Sequence, residues 1–272
     1  MINKVSLMGE VDMEPVISDM PSGDKVANFS LITSEYWVDK NSQKQSKSET
    51  HNITVYNQSL IKIVEKFVEK GSKIYVDGTI KTRKHTSSDG IEKNITEIVL
   101  QNYSHTIKLI GESNDEEVKQ YQDLNKATLI GNVGSDPDVR VMPNGGKVAN
   151  FSLATSEYWM DKNFQRQSRT EWHKIVVYNE NLIKLVEKAV HKGSKIYLEG
   201  IVKNRKYTSQ DGIERNITEI VLQGYDHTIK LLDSKPREAN NDTCNNNSHN
   251  NQSKEEIDSS EETSIIDDDI PF

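Results

Sequence analysis

Residues 53–76 read ITVYNQSLIKIVEKFVEKGSKIYV, and their pattern decides the fold. Ile53 and Val55 alternate with polar neighbours, as on a half-buried strand. Leu60, Ile61, Val64, Phe67 and Val68 then recur at i, i+1, i+4, i+7 and i+8, the spacing of an amphipathic helix that ends near Gly71. Ile74-Tyr75-Val76 opens a further strand. Upstream, Val5, Leu7 and Val11 alternate before a turn at Pro15, and VANFSL at 26–31 starts a second alternating run. Downstream, Ser88-Asp89-Gly90 reads as a hairpin turn and Ile95 to Leu100 as a fifth strand. Five strands with one helix between the third and fourth is the plan of the OB-fold barrel. On pattern alone, another small α+β barrel is the alternative.

The whole unit recurs. KVANFSL at 25–31 reappears at 147–153, TSEYW at 33–37 at 155–159, KGSKIY at 70–75 at 192–197 and NITEIVLQ at 94–101 at 216–223, always 122 residues on and without a gap. Roughly 70 of about 107 aligned positions are identical, and so long a period marks a duplicated domain rather than a solenoid repeat. The expected organisation is an all-β chain: domain 1 at 1–110, a polar, acidic and flexible linker at 111–124, domain 2 at 125–232, and a tail at 233–272.

Charge separates the tail from the body. The chain is 34% hydrophobic and 28% charged with a net charge of −8. Residues 234–272 hold three basic and ten acidic residues, net −7, which leaves −1 for 1–233. The tail is rich in Asn, Ser and acid and almost free of apolar residues before Ile265, so it is expected to be disordered. A single cysteine, Cys244, excludes an intrachain disulfide framework and a Cys-pair zinc site. There is no apolar run long enough to span a membrane and no signal-like start, so an intracellular protein without membrane contact is expected.

The polar residues point away from catalysis. His51, His173, His105 and His227 have no neighbouring cysteine and no HExxH spacing, and neither a GxSxG serine nor a phosphate-cradling GxxxxGK[ST] occurs. No paired carboxylates suit a metal-dependent nuclease, so no cofactor or metal is expected. What does stand out is aromatics beside cations. The second unit has Trp159, Trp172, Tyr178 and Tyr207. Its cations are Lys162, Arg166 and Arg169 in a loop, and Lys203, Arg205, Lys206 and Arg215 on a hairpin. The first has Trp37 and Tyr56 with Lys40, Lys44, Lys47, Lys81, Arg83, Lys84 and Lys93, but Thr50 where the second has Trp172, and His85 where it has Tyr207. A lone Trp in a strand is ordinarily core and a lone Lys ordinarily a solvated face. The pairing of the two at hairpins in both copies favours a surface for single-stranded nucleic acid. A module that only assembles and recruits is the rival reading.

The stretches NKATLIGNVGSDPDVRVMPNGGKVANFSLATSEYWMDK and RTEWHKIVVYNENLIKLVEKAVHKGSKIYLEGIVKNRKYTSQDG closely resemble the bacterial single-stranded DNA-binding protein family. The first unit is similar but looser at its start, where MGEVDMEPVISDMPSGDK stands. The resemblance extends to Asp267-Asp268-Asp269-Ile270-Pro271-Phe272, which matches the family's partner-docking tip. It implies binding of single-stranded DNA with little sequence preference, without enzymatic activity. It also implies recruitment of replication, recombination and repair enzymes through the tip, in the cytoplasm of a bacterium and associated with its nucleoid. The family's stacking aromatics fall on Trp159, Trp172, Tyr178 and Tyr207, and in the first unit on Trp37, Thr50, Tyr56 and His85. Arg83, Lys84, Arg205 and Lys206 flank them. Because Thr50 cannot stack and His85 has a smaller ring, the first unit is expected to hold DNA more weakly. Four OB domains are usual in the family's assemblies, so two chains of two domains imply a homodimer. His51 and His173 match a histidine near the subunit interface of relatives.

Overall fold

The computed structural model describes residues 1–39, 41–86, 92–112, 122–208 and 214–233. The Ser88-Asp89-Gly90 turn, most of the 111–124 connection, Lys40, the Arg215 side chain, Cys244 and the 234–272 segment with its Asp267–Phe272 tip lie outside them.

In the first repeat the main strands are β1 (Ile2–Val11), β3 (Lys25–Val38), β4 (Lys44–Val55), β5 (Ser72–Thr86) and β6 (Glu92–Leu100), with α1 (Gln58–Phe67) between β4 and β5. β1 pairs antiparallel with both β3 and β5, β3 with β4, and β5 with β6. β4 runs parallel to β6, Ile53 opposite Ile98, and closes the ring. A parallel pair needs a long crossover, and α1 with β5 supplies it. This is the expected OB barrel, with two short strands added: β2 (Val16–Asp19) on β3 and β7 (Thr106–Glu112) on β5.

The second repeat follows the same plan. It comprises β8 (Leu124–Val133), β9 (Asp138–Val141), β10 (Lys147–Met160), β11 (Arg166–Val177), α2 (Glu180–Ala189), β12 (Lys195–Thr208), β13 (Glu214–Leu222) and β14 (Thr228–Leu231). Both repeats belong to one compact unit, Met1–Ser234, because β1 and β8 pair antiparallel, from Ile2 opposite Ile130 to Met8 opposite Leu124. The first strand of each barrel therefore has three partners, and the two sheets are continuous. The end of the connection is fastened too: Asp123 takes an ion pair from Lys73 at 2.8 Å and a hydrogen bond from the Ser34 N–H at 2.7 Å.

Alternation places the core. Leu7, Leu31, Ile53, Ile74 and Leu100 are fully buried in the first barrel, and Leu129, Leu153, Ile175, Ile196 and Leu198 in the second. β1 crosses β3, and β8 crosses β10, so closely that only glycine fits: a Cβ on Gly9 would stand 2.0 Å from the Ile32 carbonyl oxygen, and one on Gly131 2.3 Å from that of Ala154. Each helix is started by an asparagine. Asn57 Oδ1 accepts from the Ser59 and Leu60 N–H groups, and Asn179 Oδ1 from those of Asn181 and Leu182. Ile61 and Val64, like Ile183 and Val186, close the barrel bottoms. Phe67 differs from the periodicity: it is the last helical residue and is half exposed, its ring beneath the Lys66 ammonium 5.0 Å away.

Candidate nucleic-acid interface

The hairpins β3–β4, β10–β11, β5–β6 and β12–β13 run past the barrel walls, so residues on both of their faces meet solvent. That is why adjacent aromatics are exposed together: Tyr36 with Trp37, and Tyr158 with Trp159. Each β3–β4-type turn is tied by an aspartate. Asp39 accepts from the Asn41 and Gln43 N–H groups, and Asp161 from those of Asn163 and Gln165. These backbone donors hold both carboxyls below their ordinary range.

Two clefts collect sequence-predicted residues, and each is built from both barrels. The larger, about 910 Å³, is lined by Trp172, Lys174, Lys206 and Tyr207 of the second barrel and by Lys84 and Lys93 of the first. Trp172 is 59% exposed, the most open of the tryptophans. The other, about 680 Å³, sets Tyr158, Trp159 and Arg169 against Met1, Lys81 and Asn102. Trp37, Tyr56, Tyr178, Arg83, Arg205 and His85 are exposed outside these two clefts. Thr50 is also exposed, and its carbonyl accepts from the Asn204 side-chain amide at 2.8 Å, a bond between the barrels.

The two arginines are oriented from below. Glu219 is 5% exposed and receives Arg205 and Lys174, each at 2.9 Å. Burial alone would raise its carboxyl, but the hydrogen bonds from Arg205 and Lys174 outweigh burial and hold it below the ordinary range. Arg205 stacks over Tyr207, 5.7 Å from the ring centroid. In the first barrel Arg83 grips Glu97 with two nitrogens, at 2.9 and 3.1 Å. Asn52 stands there in place of Lys174.

Sequence reasoning missed several exposed groups. Tyr158 carries Arg166 over its ring at 4.5 Å, and it was legible in the repeated TSEYW. Tyr103 and Tyr225 are wholly exposed in the turns after β6 and β13. Phe164 is exposed at a positive-φ turn position, and Lys174 lines the larger cleft.

The histidines are structural. His51 Nε2 meets Thr33 Oγ1 at 2.9 Å and His173 Nε2 meets Thr155 Oγ1 at 2.8 Å. Burial pushes both imidazoles down to about 4. Thr33 and Thr155 line crevices between the two barrels. His105 and His227 accept backbone N–H bonds that fold the turns before β7 and β14. Among the described residues no His, Cys, Asp or Glu group could hold a metal, and no helix is long and apolar enough to cross a membrane.

The profile of the single-strand binding protein family matches twice, at residues 2–106 and 124–231. The single-stranded DNA-binding protein of Rickettsia felis is 44% identical over 150 residues, 55% of this chain and 97% of its own length. That of Rhizobium meliloti is 48% identical over 117 residues, 43% of this chain and 67% of its own. In fold, the wild-type single-stranded DNA binding protein from Thermus aquaticus superposes with a TM-score of 0.64 at 20% identity, covering 88% of this chain and 96% of that one.

Proposed function

The chain belongs to the single-strand binding protein family, and from that premise we propose that its barrels bind single-stranded DNA with little sequence selectivity. Such binding is non-enzymatic: ammonium and guanidinium groups meet phosphates while bases stack on aromatic faces. The observation that carries the reading is the larger cleft, where Trp172 and Tyr207 lie with Lys174, Lys206, Lys84 and Lys93. Flat rings and cations in one groove suit a flexible strand with splayed bases. They suit a stiff duplex poorly, since its bases are stacked inside. Trp37, Tyr56 and Arg83 extend the surface over the first barrel, and Trp159, Tyr178 and Arg205 over the second. Lys84 and His85 lie on the β5–β6 hairpin of the first barrel, Lys84 within the larger cleft.

Two chains assemble as a homodimer of four OB domains. The Asp267–Phe272 segment recruits replication, recombination and repair enzymes, whose expected docking surface is a basic groove with an apolar pocket for Phe272. The setting is the bacterial cytoplasm, on the nucleoid. A solution mass near 31 kDa, the mass of one chain, would refute the dimer.

The test is tryptophan fluorescence on titration with poly(dT), at low and high salt, with duplex DNA as control. Strong quenching by the single strand alone, weakened by salt, supports the reading. No quenching and no binding refutes it.

A further inference from the structure

The duplication allows a comparison within one molecule. Trp172 of β11 lies over Gly134: a Cβ built there would stand 2.3 Å from Trp172 Cζ3 and 2.7 Å from Ser152 Oγ. Gly134 is not in the left-handed region, so the backbone itself would accept alanine. What forbids a side chain is the ring. Ala154 is the cross-strand partner of Trp172 and projects on the same face, so the ring also sits beside a small residue.

The first barrel repeats the backbone but not the seat. The Asp12 N–H donates to the Ser30 carbonyl at 3.0 Å, as the Gly134 N–H does to that of Ser152 at 2.8 Å. The residues that correspond to Gly134, Ala154 and Trp172 are Asp12, Ile32 and Thr50. Ile32 and Thr50 are cross-strand partners in the same way. The Asp12 carboxylate accepts from Ser30 Oγ at 3.4 Å, whereas in the second barrel the indole edge occupies that place above Gly134 and Ser152 Oγ meets Ser135 Oγ at 3.4 Å.

Resting on the proposed binding of single-stranded DNA, we infer that Asp12, helped by Ile32, is the residue that closes this stacking position in the first barrel. Thr50 is then a consequence of a filled seat, and the ring alone cannot restore it. Asp12 also places a negative charge where a strand would pass, which disfavours phosphate. The difference between the barrels is therefore set by the floor under the ring as much as by the ring.

The test uses the full chain and oligo(dT), with thermal melts to confirm folding. Trp172→Thr is expected to weaken binding about 10-fold, which is about 1.4 kcal/mol. Gly134→Ala keeps the indole but unseats it, and is expected to weaken binding by a similar factor. In the first barrel, Thr50→Trp alone is expected to change affinity less than about 2-fold, whereas Asp12→Gly/Ile32→Ala/Thr50→Trp gains about 10-fold, a factor in the range that one base stack contributes. A readout without DNA runs beside these, in a Trp37→Phe/Trp159→Phe/Trp172→Phe background so that the new indole emits alone: its anisotropy is low with Thr50→Trp and high with the triple substitution. Equal anisotropy in the two, or a gain from Thr50→Trp alone that matches the triple, overturns the inference. So does wild-type binding by Gly134→Ala when Trp172→Thr is weakened. Failure of the wild-type chain to bind oligo(dT) refutes the proposed function instead, while the anisotropy still reports on the seat.

Discussion

Acid should loosen these barrels through two buried histidines. His51 and His173 are 2% and 4% exposed, and burial lowers each from 6.5 to about 4. Each Nε2 has a threonine hydroxyl as its partner, which does not compensate a positive charge. The neutral ring is thus the form the fold accepts. Between pH 6.5 and about 4 the unfolded chain binds protons that the folded chain does not, so stability is full above 6.5 and falls as the pH drops through that window. From pH 7 to pH 5 the loss works out at about 2 kcal/mol for each histidine and about 4 kcal/mol for the pair. The assay is urea unfolding at 25 °C, followed by far-UV circular dichroism, at pH 7, 6 and 5. The comparison is His51→Gln/His173→Gln, whose amides keep a partner for Thr33 and Thr155 without titrating. Burial also lowers His105 and His227, so some slope remains in the variant, but about 4 kcal/mol of the wild-type loss should vanish. The carboxyls that the fold holds low, those of Asp39, Asp77, Asp161, Glu199 and Glu219, lose their contribution chiefly as the pH falls to their ordinary values of 3.8 to 4.5 and lower, below the measured range of pH 7 to 5. A variant that loses as much stability from pH 7 to 5 as the wild type refutes the reasoning.

Removing a helix cap, Asn57→Ala or Asn179→Ala, should lower stability by about 1 kcal/mol each, and Asn→Ser should restore most of it, as read by chemical unfolding. Leu129→Ala in the second barrel core should cost about 3 kcal/mol with the fold retained; a loss below about 1 kcal/mol would mean the core there is not closely packed. Glu219→Ala and Arg205→Ala should be non-additive by more than about 0.5 kcal/mol in a double-mutant cycle, and simple additivity would mean the guanidinium is not held from below. Under the proposed function, deleting residues 234–272 removes a net charge of −7 and should tighten oligo(dT) binding at low salt but not at high salt; unchanged affinity at low salt would show that the tail does not compete for the cations.

The barrel was legible because its strands alternate and its helix keeps a 3.6-residue period, both local signals. The additional strands were not. β2 holds four residues, and the VISD of 16–19 neither alternates cleanly nor carries a turn signal of its own. β7 belongs to the sheet through pairing with β5, which is a tertiary fact. Phe67 fell on the helical apolar stripe, but the stripe outlasts the surface it packs against. For the interface, residue types were legible and partnerships were not. Nothing in the spacing says that Lys84 and Lys93 share a cleft with Trp172, because that cleft exists only once two barrels are joined. Gly134 reads as one more turn glycine until the indole above it is placed.

The antiparallel pairing of β1 with β8 has an evolutionary consequence. Two separate copies of one domain, joined by that same edge, would be related by a two-fold axis, and every substitution would appear on both sides at once. Here the edge is satisfied inside a single chain, at the high effective concentration a tether gives, so each barrel always meets the other and never itself. Covalent fusion thereby releases the halves from symmetry. One can keep a glycine floor beneath an indole while the other acquires an aspartate, and natural selection can act on each separately.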